Sequence, residues 1–319
     1  MRTRDDSRGD TRDDMRGDTQ GDTRDGTGNG ACNGTPADAG PGVLSDPAWV
    51  VPPVPQDVPA GSMAWLRAHV ARFSSGDAHA RRRAAAAARL GGPEAAGALR
   101  DAARTRAEAL LRGPGPVEVM AEVARVVPVE VLAAGLALLP VTADTAGLVG
   151  EVARAYHAHG ETVPAADEAL ARLVAACGGA WDEDTAARVG LLVQAYDATA
   201  GLIGNAARLM LTHAAAAQAG DPAANFLDRA LRVDPPVRGT LRAPAGGGAP
   251  VRAGLVTADG ALPFGAGAHA CPGREHARAL AAGVLDALCA RGCRLARPDL
   301  VYIPSANLRI LDSLEVTCA

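Results

Sequence analysis

The chain has 319 residues, 48% of them hydrophobic and only 3% aromatic, with a formal net charge of −4 at pH 7. All 32 basic residues are arginine, which excludes a phosphate-loop lysine, a Schiff-base lysine and a lysine general base. The first 46 residues hold 6 Arg and 10 Asp, leaving 26 basic and 26 acidic side chains beyond them, and so balanced a body lacks the cation excess that a nucleic-acid partner requires.

No apolar run is long enough to span a bilayer, and the Arg/Asp-rich start has no signal-like apolar stretch, so a cytoplasmic protein without membrane contact is expected. The six cysteines (Cys32, Cys177, Cys271, Cys289, Cys293 and Cys318) include no CxxC pair, which predicts free thiols in a reducing compartment. Cys289 and Cys293, with Gly292 between them and no histidine pair nearby, do not make a metal site.

From Thr3 the sequence repeats in fours (TRDD, SRGD, TRDD, MRGD, TQGD, TRDG, TGNG) with almost no apolar side chains, and residues 1–45 read as a disordered tail. The RGD triplets at Arg8 and Arg16 are incidental to that repeat. Residues 46–319 read as one mainly α domain with minor β. Trp65, Leu66, His69, Val70 and Phe73 fall at helical spacing, Ser75-Gly76-Asp77 breaks the run, and a second helix starts near His79. Helical segments follow at 94–112, 116–138, 144–158 and 164–177. A long buried helix runs from Asp182 to about Gln218, with Gly201 and Gly204 leaving room for a close neighbour. After a helix at 223–232 come short β pieces at 237–243 and 250–257, an amphipathic helix at 274–291 closed by Gly292, and a terminal hairpin over 299–318.

The chemistry concentrates in Leu262-Pro263-Phe264-Gly265-Ala266-Gly267-Ala268-His269-Ala270-Cys271-Pro272-Gly273. This places a cysteine in a glycine-rich loop just before a helix N-terminus, where unpaired N–H groups and the helix dipole favour its thiolate. The glycines let the loop pass close to a flat ligand, and His269 can donate to an acidic substituent. Gly265-x-Gly267-x-x-Ala270 also satisfies a dinucleotide fingerprint, but prolines flank it and only 27 residues follow Gly292, too few for the rest of such a sheet.

Read as F-G-x-G-x-H-x-C-x-G, this loop resembles the haem-binding signature of the cytochrome P-450 superfamily, most of all its soluble bacterial members. The resemblance implies a P-450-like helical fold around a buried haem b (iron protoporphyrin IX), with Cys271 as the iron ligand, Phe264 and Gly265 beside it, and His269 as a propionate donor. His79-Ala80-Arg81-Arg82-Arg83 resembles the family's C-helix motif, implying that His79 and Arg83, on one helix face at i and i+4, grip a propionate. Leu231 to Val237, followed by Gly239-Thr240-Leu241-Arg242, resembles the end of the K helix and its next strand, implying Arg242 as a further propionate contact. Gln194 to Gly201 resembles the oxygen-binding helix, implying Asp197 as the proton-relay acid with Thr199 beside it.

The sequence departs from the family pattern at named positions. Arg229 stands where the K helix carries the glutamate that pairs with Arg232, leaving Asp228 as the nearest substitute carboxylate. Ala198 stands where the first distal threonine is expected. Cys271 follows Arg232 by only 39 positions, too few for the family's meander, so deletions are expected. The implied activity is insertion of one oxygen atom from O2 into an apolar small molecule, with electrons from a ferredoxin or flavodoxin-type donor steered by Arg274 and Arg278. The alternative is a catalytically impaired relative with an interaction or regulatory role.

Overall fold

Alanine- and leucine-rich stretches punctuated by Gly and Pro become helices where each can bury an apolar stripe. A computed structural model describes residues 37–113, 115–156, 163–212, 221–258 and 260–319 of the protein. Strand β1 (Asp38–Ala39), a 3-10 turn at Pro41–Leu44 and β2 (Trp49–Val50) precede the helices α1 (Met63–His69), α2 (Gly76–Leu90) and α3 (Pro93–Leu110). The Ser62 side chain starts α1 by accepting the Trp65 N–H at 3.2 Å.

Folded structure therefore reaches back into the segment assigned to the tail. Residues 1–36 lie outside the described residues, but β1 pairs in parallel with β5 (Val251–Gly254), and Leu44 is buried against Ala253 and Leu255. A short apolar anchor, Val43-Leu44, outweighs the polar composition around it.

The 116–138 segment is not one helix. It comprises β3 (Pro116–Glu118), a π-helical turn at Met120–Ala124 and α4 (Val127–Gly135). The reason is tertiary: β9 (Glu315–Thr317) pairs with β3, and the Glu118 carboxylate accepts the N–H groups of Met120 and Leu314 at 3.1 and 2.7 Å.

Helices α5 (Thr145–Tyr156) and α6 (Pro164–Ala176) lead to α7 (Glu183–Thr212), the long buried helix the pattern predicts; its expected end at 213–218 lies outside the described residues. Gly201 and Gly204 do admit close neighbours, because a Cβ there would lie 2.8 Å from the Pro236 Cβ and 2.6 Å from the Met120 sulfur.

Helix α8 (Pro222–Val233) is followed by β4 (Gly239–Pro244), β5, β6 (Val256–Thr257) and β7 (Gly260–Ala261). The first sheet runs in the order β1-β5-β4-β2. Helix α9 (Arg274–Ala290) buries Leu280, Ala281, Val284, Leu285 and Leu288 against α3, and Gly283 sets the spacing, since a Cβ there would meet the Arg100 carbonyl at 2.2 Å.

The last segment is only partly the expected hairpin. Tyr302 and Leu311 form one bridge, while β9 instead pairs with β8 (Arg294–Leu295) and β3. That pairing sets Cys293 and Cys318 opposite each other as a disulfide, with Cα atoms 3.9 Å apart, correcting the expectation of free thiols throughout. Cys177, Cys271 and Cys289 are free. Among the described residues no helix is long and apolar enough to cross a membrane.

Candidate functional site

The glycine-rich loop is held open by its own backbone. Gly265 and Gly267 both adopt φ +68°, a conformation that side chains with a Cβ rarely take. At Gly267 a Cβ would also strike the Leu44 carbonyl at 2.2 Å, so the N-terminal 3-10 turn packs directly on the loop. The Cys271 N–H donates to the Phe264 carbonyl at 2.8 Å, closing the loop just before α9. Cys271 is open to a cavity of about 520 Å³ that extends across to α7.

The expected stabilisation of the Cys271 thiolate is only partial. The Gly273 N–H, Arg83 and Arg274 favour the anion, but burial is the larger effect and pushes the thiol pKa up. Without a positive charge bound to the sulfur, desolvation prevails over the helix terminus. Phe264 lines the same wall, with the Arg274 guanidinium 5.6 Å from its ring centre.

His79, Arg83, Arg242 and His269 all line this cavity, as the motifs imply. His79 and Arg83 lie one turn apart on α2. The His79 and His269 rings lie tilted at 33° with centres 3.9 Å apart, and among the described residues the His79 Nε2 is buried without a hydrogen-bond partner. Arg83 reaches the Ala270 carbonyl in the loop. Arg242 on β4 is 3% exposed and donates to the Leu241 carbonyl at 2.8 Å. Burial, aided by the charge of Arg72, lowers the Arg242 pKa to about 10. Burial, then the neighbouring His79, Arg242, Arg72 and Arg83, lowers that of His269 to about 3.

Arg72, in the 3-10 turn Ala71–Phe73, joins this group; sequence reasoning missed it, although an arginine between Ala71 and Phe73 in an apolar stretch is a signal. Among the described residues, Arg72, Arg83 and Arg242 have no carboxylate partner. Arg242 is buried and Arg72 and Arg83 are half-buried, and cations left in this state beside a cavity call for an anion. Two propionates of a porphyrin, with Cys271 presented on the same cavity, match this donor set, so the residues present fit the group the loop motif implies.

On the opposite wall, α7 contributes Asp197, Ala198 and Thr199. Thr199 is 1% exposed. Burial raises the Asp197 pKa against the opposing pull of Arg125, whose Nε lies 3.7 Å from its Oδ1. Tyr196 packs its hydroxyl towards Gly150 and belongs to the core.

The K-helix departure is resolved in an unexpected way. Asp228 does not replace the missing glutamate, because it is exposed and pairs with Arg278 at 2.7 Å, which also engages a charge expected to steer an electron donor. Arg232 is exposed. The buried carboxylate is instead Asp234, which caps the end of α8 and binds Arg208 at 3.3 Å, Arg309 at 3.2 Å and the Tyr302 hydroxyl at 2.6 Å. The only local sign of this was an acid placed just before Pro235-Pro236.

No family model matches the sequence, and no curated protein matches it. Solved structures do match its shape. P450BioI, crystallised in complex with an acyl carrier protein ligated to hexadec-9Z-enoic acid, superposes with a TM-score of 0.69 at 19% identity over 86% of this chain and 88% of its own. CalO2 does so with a TM-score of 0.67 at 19% identity over 81% and 82%. CYP154A1 from Streptomyces coelicolor A3(2) gives 0.63 at 22% identity over 81% and 83%. The fold of this chain is that of the cytochrome P-450 superfamily.

Proposed function

We propose that the protein is a haem-thiolate monooxygenase that inserts one oxygen atom from O2 into an apolar small molecule. The observation that carries this reading is that Cys271, at the entry to α9, shares one cavity with the buried Arg242 and the half-buried Arg72 and Arg83, which among the described residues lack carboxylate partners. Haem b would supply the iron chemistry that activates O2.

The chain's own residues have separable tasks. Cys271 would hold the iron through its sulfur, with the Gly273 N–H stabilising the anionic form. His79, Arg83, Arg242 and His269 would hold the propionates, with Phe264 and Gly265 forming the wall beside Cys271. Asp197 is the proton-carrying group of the α7 wall, its carboxyl pKa raised by burial, and the Thr199 hydroxyl orders that proton from one position later than the family pattern. Apolar cavity residues such as Val193, Leu202 and Leu132 exclude water from the substrate.

A ferredoxin or flavodoxin-type donor would approach the cleft outside Phe264, where Arg274 and Arg232 remain to attract an acidic carrier. The fatty-acyl cargo of one structural neighbour supports an apolar substrate.

The second reading, a catalytically impaired relative, is favoured by Ala198 and by the Arg125 hold on Asp197. Reducing the purified protein under carbon monoxide separates the outcomes. A red-shifted Soret band is expected for thiolate-ligated haem, and absence of bound haem overturns the proposal. Haem without NAD(P)H-dependent turnover in a generic ferredoxin system establishes the impaired relative.

A further inference from the structure

Arg72 is the cation of this cavity that no motif assigns. Its Nη2 donates to the Thr240 hydroxyl at 3.0 Å, and the same oxygen accepts from Arg242 Nη1 at 3.5 Å. One hydroxyl thus draws two guanidinium groups together on the cavity wall. Burial lowers the pKa of both, and the charge of Arg72 adds to the effect on Arg242. Such a pair is costly unless an anion enters between or beside its members.

The charges also fail to close without Arg72 having a ligand of its own. Three guanidinium groups, Arg72, Arg83 and Arg242, line the cavity without a carboxylate partner among the described residues. Iron protoporphyrin IX carries two propionates, so one positive charge is left over; this count rests on the haem reading above. Arg82 also reaches the cavity but is already paired with Glu183 at 2.9 Å.

We propose that Arg72 is a carboxylate anchor of this cavity, taking up the acid group of a bound molecule through the part of its guanidinium not bonded to Thr240. Two sources carry that chemistry: a cofactor propionate, or the acid end of a carboxylate-bearing apolar substrate.

The test uses acid and ester pairs as probes. Haem-free protein is titrated with haemin and with haemin dimethyl ester, and haem-loaded protein with dodecanoate and with methyl dodecanoate, all followed in the Soret band. Arg72→Gln is expected to weaken one of the two acids by about tenfold or more while its ester binds as before. Loss confined to haemin assigns the anchor to a propionate, and loss confined to dodecanoate assigns it to substrate. Arg72→Lys, which keeps the charge, is expected to recover part of the affinity.

Equal binding of both acids by wild type and Arg72→Gln overturns the proposal. So does a parallel loss of acid and ester that Arg72→Lys does not restore, which marks a structural role. If wild type takes up no haemin, the haem reading fails by itself, and calorimetry of dodecanoate with the haem-free protein then decides on Arg72. No difference there between wild type and Arg72→Gln overturns the anchor.

Discussion

The two walls of the cavity are held in different ways. On the Cys271 wall, the backbone closes the loop through the Cys271 to Phe264 hydrogen bond, Gly267 is pressed against Leu44, and Arg83 ties the loop to α2. Every residue of the haem-binding pattern is present there. On the α7 wall, the pattern is broken at Ala198 and Asp197 leans towards Arg125. The difference separates two requirements. On the proposed reading the first wall would hold a ligand, which needs a rigid loop and fixed cations, and the second would move protons, which needs side chains free to exchange partners.

The largest effect expected on this contrast comes from Cys271→Ser. It should abolish the red-shifted carbon monoxide band entirely, while Cys289→Ser, altering an exposed thiol on α9, leaves it unchanged. Equal behaviour of the two variants would sink the assignment of the ligand wall.

Next is Asp234→Ala, which strands Arg208, Arg309 and the Tyr302 hydroxyl around a buried position. A loss of about 2–3 kcal/mol in urea unfolding is expected, below the full cost of breaking a buried pair because both arginines are partly exposed. Glu or Asp restored in the family's place, by Arg229→Glu, should not recover that loss, since the partners lie around residue 234.

Gly267→Ala tests the rigidity of the loop. It adds a Cβ at φ +68° against the Leu44 carbonyl, so a cost of roughly 1–3 kcal/mol is expected. Weakened haem uptake should accompany it, and unchanged uptake would show that the N-terminal turn does not support the ligand wall. Ala198→Thr acts on the other wall, where a several-fold gain in turnover without change in haem affinity is expected. A change in affinity instead would blur the separation between the walls.

The smallest effect concerns the clamp joining them. Glu183, at the start of α7, pairs with Arg81 and Arg82 of α2, and these hydrogen bonds hold its carboxyl pKa down to about 2. Because the folded-state value lies below the ordinary one, the contribution is present above pH ~4.3 and is lost as the pH falls through about 2. Solvent screening at this partly exposed cluster keeps the contribution small. Urea midpoints of wild type and Glu183→Gln should differ at pH 6 and converge towards pH 2.

What the linear sequence determined was local. The helices α1–α3 and α5–α8, the amphipathic face of α9 and the ten-residue cysteine loop were legible, because helical periodicity and loop chemistry depend on neighbours a few positions apart. Long-range pairing decided the rest. Val117 forms strand rather than helix because Val316 pairs with it across the chain, and Cys293 meets Cys318 only once β8 and β9 align. Asp234 finds Arg309, and Arg72 shares Thr240 with Arg242, across gaps in which no periodicity links the partners. Such contacts follow from how whole elements pack around a common interior, and the favourable burial and charge pairing that select them exist only after the chain has closed on itself.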